Sequence, residues 1–215
     1  MSDATEAQAS PLGFERLVLF SDAVFAIVIT LLVLPLTEAV ADLATSENLA
    51  GDLTDLWPRA LSFVVTFLVI GQFWIAHHTM FGVVRSYDRT LLWMNIVALL
   101  TVSFLPFPSA LLGARPFTGD RLPVVLYAAS LTLASLAFTV TWHYALRGGL
   151  VASDAVDRDR RDLTVRSYAT TAVFALSILA AFAGVVVAAL FWVVLVPLGR
   201  MLVVRTAHRR ATRHS

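Results

Sequence analysis

The residues whose chemistry stands out in this chain are Asp22, His77, His78 and Asn95, because each lies in a stretch otherwise dominated by apolar side chains. A carboxylate at mid-helix in a bilayer costs about 2.5 to 3.5 kcal/mol even on insertion scales, and lipid offers it no partner. Asp22 must therefore face protein or water. Three roles suit it: a structural clamp between helices, an ion or proton site, or part of a gate. His77 and His78 suit packing and hydrogen bonding near the membrane interface or, since histidine titrates near neutrality, pH sensing. They suit a metal poorly, because adjacent residues point to different helix faces and the chain has no cysteine to complete a ligand set. Nucleophilic catalysis is served no better: there is no G-x-S-x-G elbow, no thiol and no pair of intramembrane carboxylates.

Asp22 sits in RLVLFSDAVFAIVITLLVLPL, where Leu17 to Leu36 is nearly all apolar and, at about 1.5 Å per residue, long enough to cross a hydrocarbon core of roughly 30 Å. At 100° per residue, Ile27, Leu31 and Leu34 fall on one line with Thr30 alongside, and Asp22 lies about 140° away from Ile27. The helix thus carries an apolar seam with one hydroxyl, and a polar anchor on another side nearer its start.

The chain as a whole reads as an all-α polytopic membrane protein. Of its 215 residues 58% are hydrophobic and 14% charged, with mean hydropathy +0.78, where a soluble domain has about a quarter of its residues charged. Six spans are expected, at about 17–36, 58–81, 91–112, 122–146, 167–184 and 186–204, within a membrane domain over 16–206. Residues 1–15 form a polar, acidic tail unlike a secretory leader, and 207–215 a basic tail. Residues 37–57 carry five acids and no base, as a surface loop with room for a short amphipathic helix. Pro106 and Pro108 should kink or unwind the far end of the third span, and Trp142, His143 and Tyr144 close the fourth as an interfacial aromatic cluster. The apolar run 168–204 would make one helix of roughly 55 Å, so it divides into two spans with a tight turn near Gly184.

Charge asymmetry orients these spans. With the N-terminus in the cytoplasm, Arg59, Arg115 and Arg121 alone among the sixteen arginines lie outside, and both termini are cytoplasmic. The same topology brings Asp22, His77, His78 and Asn95 to one depth a little inside the inner face. A buried network is expected there, with Ser21 and Asp22 meeting His77 or His78, Asn95 and Trp74. Arg16 lies about 240° round the helix from Asp22, so it should bond a neighbouring helix, a subunit or lipid headgroups.

Arg16, Phe20, Ser21 and Asp22 match an R-x-x-x-F-S-D signature, and FSDAVFAIVITLLVL resembles the prokaryotic members of the transmembrane-protein-175 family, potassium channels known in animals from endosomes and lysosomes. The resemblance implies a homotetramer in which each first helix lines a central pore. It implies a constriction of apolar side chains, here Ile27, Leu31 and Leu34, with Ile27 narrowest and a hydroxyl layer at Thr30. It assigns Arg16, Phe20, Ser21 and Asp22 to holding helices together, and it implies no cofactor or metal beyond permeant potassium.

The expected function is a potassium-selective channel of a bacterial plasma membrane, embedded in lipid, with no nucleic-acid partner and no enzymatic activity. A secondary transporter is the alternative, but internal repeats with paired broken helices are not evident. An intramembrane hydrolase lacks its nucleophile, and a voltage sensor its arginine ladder. Reporter fusions test the orientation: green fluorescent protein at the C-terminus should fluoresce and alkaline phosphatase there should be inactive, the reverse pattern contradicting a cytoplasmic tail.

Overall fold

In a lipid interior helices associate through close packing and interhelical hydrogen bonds, since tails are as apolar as leucine. The computed structural model describes residues 11–43, 47–115, 120–152, 157–183 and 185–192. In chain order these form α1 (Pro11–Leu31), α2 (Leu34–Leu43), α3 (Leu49–Asp55), α4 (Trp57–Val83), α5 (Arg89–Ser103), α6 (Pro106–Ala114), α7 (Leu122–Arg147), α8 (Asp157–Ala180) and α9 (Val185–Leu190). Five helical stretches among the described residues are long and apolar enough to cross a membrane: 12–40, 57–83, 89–114, 122–147 and 160–180.

Proline explains both interrupted spans. The first is helical to Leu31, turns at Leu32 and Val33, and resumes with Pro35 as the second residue of α2. Pro35 has no N–H to give Leu31, and Leu36 and Thr37 instead donate to the Val33 carbonyl at 2.9 and 3.1 Å. The seam through Ile27, Leu31 and Leu34 therefore crosses a break. The third span breaks at Phe104 and Leu105 and restarts at Pro106, where the sequence places a kink.

Other boundaries differ from the sequence expectation. Residues 11–15, at the end of the expected tail, already belong to helix α1. The helix that carries the fifth span, α8, begins at Asp157, ten residues before 167, because the charged segment 157–167 continues it beyond the most apolar stretch, and the part long and apolar enough to cross a membrane starts at 160. Ala181 to Ala183 turn the chain back, Gly184 lies outside the described residues, and α9 packs on α8 through a Trp192 Nε1–H bond to Ser177 Oγ at 2.9 Å. The rest of the sixth span, from 193 onwards, and the tail 207–215 lie outside the described residues. Trp142 does not face lipid: it is buried and donates to Thr164 Oγ1 at 3.0 Å, because α8 covers that face of α7, while His143 and Tyr144 are half-buried.

Small and hydroxyl side chains let helices approach. Ser109 and Gly113, four apart on α6, face α4, and a Cβ on Gly113 would stand 3.0 Å from Arg59 Cα. In the space so made, Ser62 Oγ donates to the Ser109 carbonyl at 2.7 Å, Ser109 Oγ meets Thr66 Oγ1 at 2.7 Å, and Thr66 Oγ1 meets the Tyr127 hydroxyl at 2.9 Å. This buried chain joins α4, α6 and α7. At the other end Leu150 N donates to Ala145 O and Gly149 N to Leu146 O, a helix stop that needs the left-handed backbone of Gly149 at φ 67°. It delivers Val151 to an antiparallel bridge with Val84, tying the α7–α8 connection to the α4–α5 turn.

Thr66→Val leaves the buried Tyr127 and Ser109 hydroxyls without their shared partner, and should destabilise the fold by about 1 to 3 kcal/mol. Thermal melts in detergent should show it, with Ser130→Ala close to wild type because Ser130, among the described residues, bonds only its own helix at Leu126.

Candidate functional site

The first helix presents two unlike faces. Leu17, Ser21, Phe25, Val28 and Leu32, spaced i, i+4, i+8, i+11 and i+15, are all buried against the bundle. Ile27 and Leu31, on the far side, are 58% and 42% exposed, and Leu34 beyond the break is 47% exposed. Thr30 is exposed with them, its hydroxyl donating to the Ile27 carbonyl at 2.8 Å. That bond uses the only hydroxyl proton, so the oxygen offers lone pairs outward, the character that a cation requires.

A hydrogen-bonded chain at Ser21 holds the buried face. Ser21 Oγ donates to the Leu17 carbonyl at 3.0 Å and accepts from Asn95 Nδ2 at 3.0 Å, while Asn95 Oδ1 lies 3.0 Å from His77 Nε2. With the amide oxygen facing the ring, Nε2 carries the proton and donates, so each link has one donor and one acceptor. The three side chains come from α1, α5 and α4, and none is exposed to solvent. Aromatic rings enclose the histidine: Phe81 stacks on it at 4.3 Å, Phe25 tilts at 5.6 Å and Phe138 meets it edge-on at 5.9 Å. His77 Nδ1 is buried without a partner.

Asp22 makes a separate contact. It is half-buried and accepts from Trp74 Nε1 at 2.9 Å, one bond between α1 and α4 on the flank of the Ser21 chain. The expected network is thus two pieces. His78 joins neither by a hydrogen bond: it is exposed, one residue round from His77, and its ring lies 5.7 Å from that of Trp74. Arg16 and Phe20 are exposed, Phe20 by 54%, and Arg16 has no ion pair or hydrogen bond among the described residues. Also among the described residues, no group of three or more His, Asp or Glu could hold a metal ion.

Sequence reading missed the hydroxyl chain at Ser62, Thr66, Ser109 and Tyr127. The four-residue spacing of Ser109 and Gly113 is its signal, since small residues so placed mark a close helix crossing. It also missed Phe25, Phe81 and Phe138 as the cage around His77, because nothing in an apolar run distinguishes the aromatic that meets an imidazole.

These features define an all-helical polytopic membrane protein whose first helix is fastened along one face and bare along the other. A family model described as endosomal/lysosomal potassium channel TMEM175 matches residues 16–106, the part that holds most of α1, all of α4 and α5, and every residue of the two hydrogen-bonded pieces. A potassium channel of Streptomyces collinus is 35% identical over 144 residues, 66% of this chain and 69% of that protein. A potassium channel of Chamaesiphon minutus is 32% identical over 154 residues, 71% of this chain and 76% of that one. The crystal structure of a lysosomal potassium-selective channel TMEM175 homolog from Chamaesiphon minutus superposes with a TM-score of 0.74 at 26% identity, covering 88% of this chain and 97% of that one. The chain belongs to the TMEM175 potassium-channel family.

Asn95→Ala should cost more than Trp74→Phe. The first leaves Ser21 and His77 facing each other across a void inside the bundle, a penalty of about 1 to 3 kcal/mol, whereas Asp22 released from Trp74 regains water at a half-buried site. Detergent melting of both variants reads the difference, and a Trp74→Phe loss equal to or larger than that of Asn95→Ala contradicts the ranking.

Proposed function

We propose that this protein is a passive potassium-selective channel, a homotetramer in a bacterial plasma membrane with both termini cytoplasmic and with no enzymatic activity or cofactor. Four copies of α1 surround the conduction axis. The observation that carries the reading is the bare seam of α1: Ile27 and Leu31 stand opposite the buried face at Ser21, Phe25, Val28 and Leu32. The relatives described above, named as potassium channels, support the same activity.

A ring of isoleucines supplies no ligand, so a cation passes partly hydrated or sheds water against a dewetting barrier, as in hydrophobic gates. Potassium sheds water at lower cost than sodium, which sets a modest preference. The Thr30 oxygens, with their protons committed to Ile27, replace part of the lost hydration. Leu31 extends the constriction, and Leu34 continues it past the break at Leu32 and Val33, where the changed helix direction lets the passage widen. Acidic residues following the first span, including Glu38, Asp52 and Asp55, raise the local cation concentration at the outer mouth, an effect that salt screens. Arg16, Phe20, Ser21 and Asp22 hold helices and subunits together and do not touch the ion.

Ile27→Asn places an amide where the aliphatic ring stands and should wet the constriction. The potassium-to-sodium flux ratio in reconstituted liposomes is expected to fall severalfold with total cation flux maintained or raised. An unchanged ratio removes Ile27 from the selectivity element.

A further inference from the structure

We propose that the cleft between α4, α7 and α8 binds the phosphate-bearing headgroup of an anionic phospholipid, with Arg166 as its cationic contact and Thr170 as a second donor. The cleft encloses about 90 Å³ and is lined by Phe73, Thr79, Phe138, Thr139, Arg166 and Thr170, among others. A single water needs roughly 10 to 15 Å³ by the same measure, so the space admits the four oxygens of a phosphate.

Depth and chemistry both point to a lipid. Arg166 is six residues into the span that begins at Arg160, about 9 Å below its start, where headgroup gives way to acyl chain. An arginine at that level requires a counter-charge or a route to the interface. Its Nε is buried and without a partner, and Asp162, one turn earlier on the same helix, forms no ion pair with it among the described residues. One turn deeper, Thr170 is buried and its hydroxyl makes no hydrogen bond among the described residues.

The other hydroxyls around the cleft are already engaged. Thr79 donates to the Ile75 carbonyl, Ser167 to the Thr164 carbonyl, and Ser135 and Thr139 both meet Thr171. Arg166 and Thr170 therefore remain as donors lining the cleft with no acceptor there among the described residues. Along α8, Arg158, Arg160, Arg161 and Arg166 stand against Asp157, Asp159 and Asp162, and Arg147 ends α7, so arginine is in slight excess near the cleft. Basic clusters at a membrane surface attract anionic headgroups. Phe73, Phe138 and Leu163 provide apolar walls for the upper acyl chain, and Ile75 beside them is 54% exposed, so the cleft opens outward from the bundle.

The test uses full-length protein in detergent, melted while phosphatidylglycerol, phosphatidylcholine or inorganic phosphate is titrated. Phosphatidylglycerol should raise the melting temperature saturably and phosphatidylcholine should not. Arg166→Gln should weaken the apparent affinity for phosphatidylglycerol about tenfold or more, as expected for one lost charge-assisted contact. Arg161→Gln, on the exposed side of α8, should leave it within about twofold. Thr170→Leu fills the cleft without altering charge and should also abolish the shift, which decides the matter where Arg166→Gln does not fold. A shift that survives Arg166→Gln or Thr170→Leu, an equal shift with phosphatidylcholine, or the same shift from millimolar phosphate alone overturns the proposal.

Discussion

The bond between Ser21 and Asn95, carried on to His77, is the contact on which the arrangement of the first helix depends. Each of the three residues comes from a different helix, and in lipid such a link has no competing water. Interhelical bonds of this kind measure only about 0.6 kcal/mol on average, so their energy alone does not hold α1 in place. Their value is directional. Ser21 meets Asn95 in one register only, and rotating α1 by a single residue, about 100°, would leave the buried Asn95 amide N–H group without its partner. Fixing that rotation also fixes which side chains of α1 are left outside the bundle, namely Ile27, Thr30 and Leu31.

The two ends of the bundle solve the packing problem differently. Where α4, α6 and α7 meet, small residues bring backbones together and hydroxyls from Ser62 to Tyr127 satisfy one another in the gap. At the opposite end the connections do the joining: Val84 bridges Val151, the Asp88 carboxylate caps α5 at Leu91 N and accepts from the Tyr144 hydroxyl, and Arg160 bonds the Ala152 carbonyl. Prolines set where the first and third spans bend. The break in the first falls just past Leu31, so the uninterrupted helix α1 holds both the anchor at Ser21 and the Ile27, Thr30 and Leu31 part of the bare seam, with Leu34 beyond it.

Much of this was legible in the sequence because membrane spans announce themselves by length and apolarity, and because a few polar residues in such spans have few possible partners. Depth reasoning brought Ser21, Asp22, Trp74, His77 and Asn95 to one level, and all five are bonded there, in two pieces instead of one. What it could not separate was His77 from His78, since the choice rests on a 100° difference in helix rotation set by Phe25, Phe81 and Phe138. The early start of α8 was hidden for another reason: charged residues 157–167 look like a loop when apolarity is the guide, although nothing in them breaks a helix. Trp142 was misread because an aromatic near a span end suits an interface as well as a helix contact, and α8 decides between them.

A cysteine placed on the proposed pore-facing seam of α1 reports whether water reaches it. The chain has no cysteine, so a single one can be introduced without background. Potassium flux through Ile27→Cys, measured before and after a charged, water-soluble thiol reagent, is the most direct test. Block at Ile27→Cys with no effect on Leu100→Cys, a comparably exposed position at 67% on α5, is the expected result. Flux that is insensitive to the reagent at position 27, despite full labelling of that thiol, would contradict it.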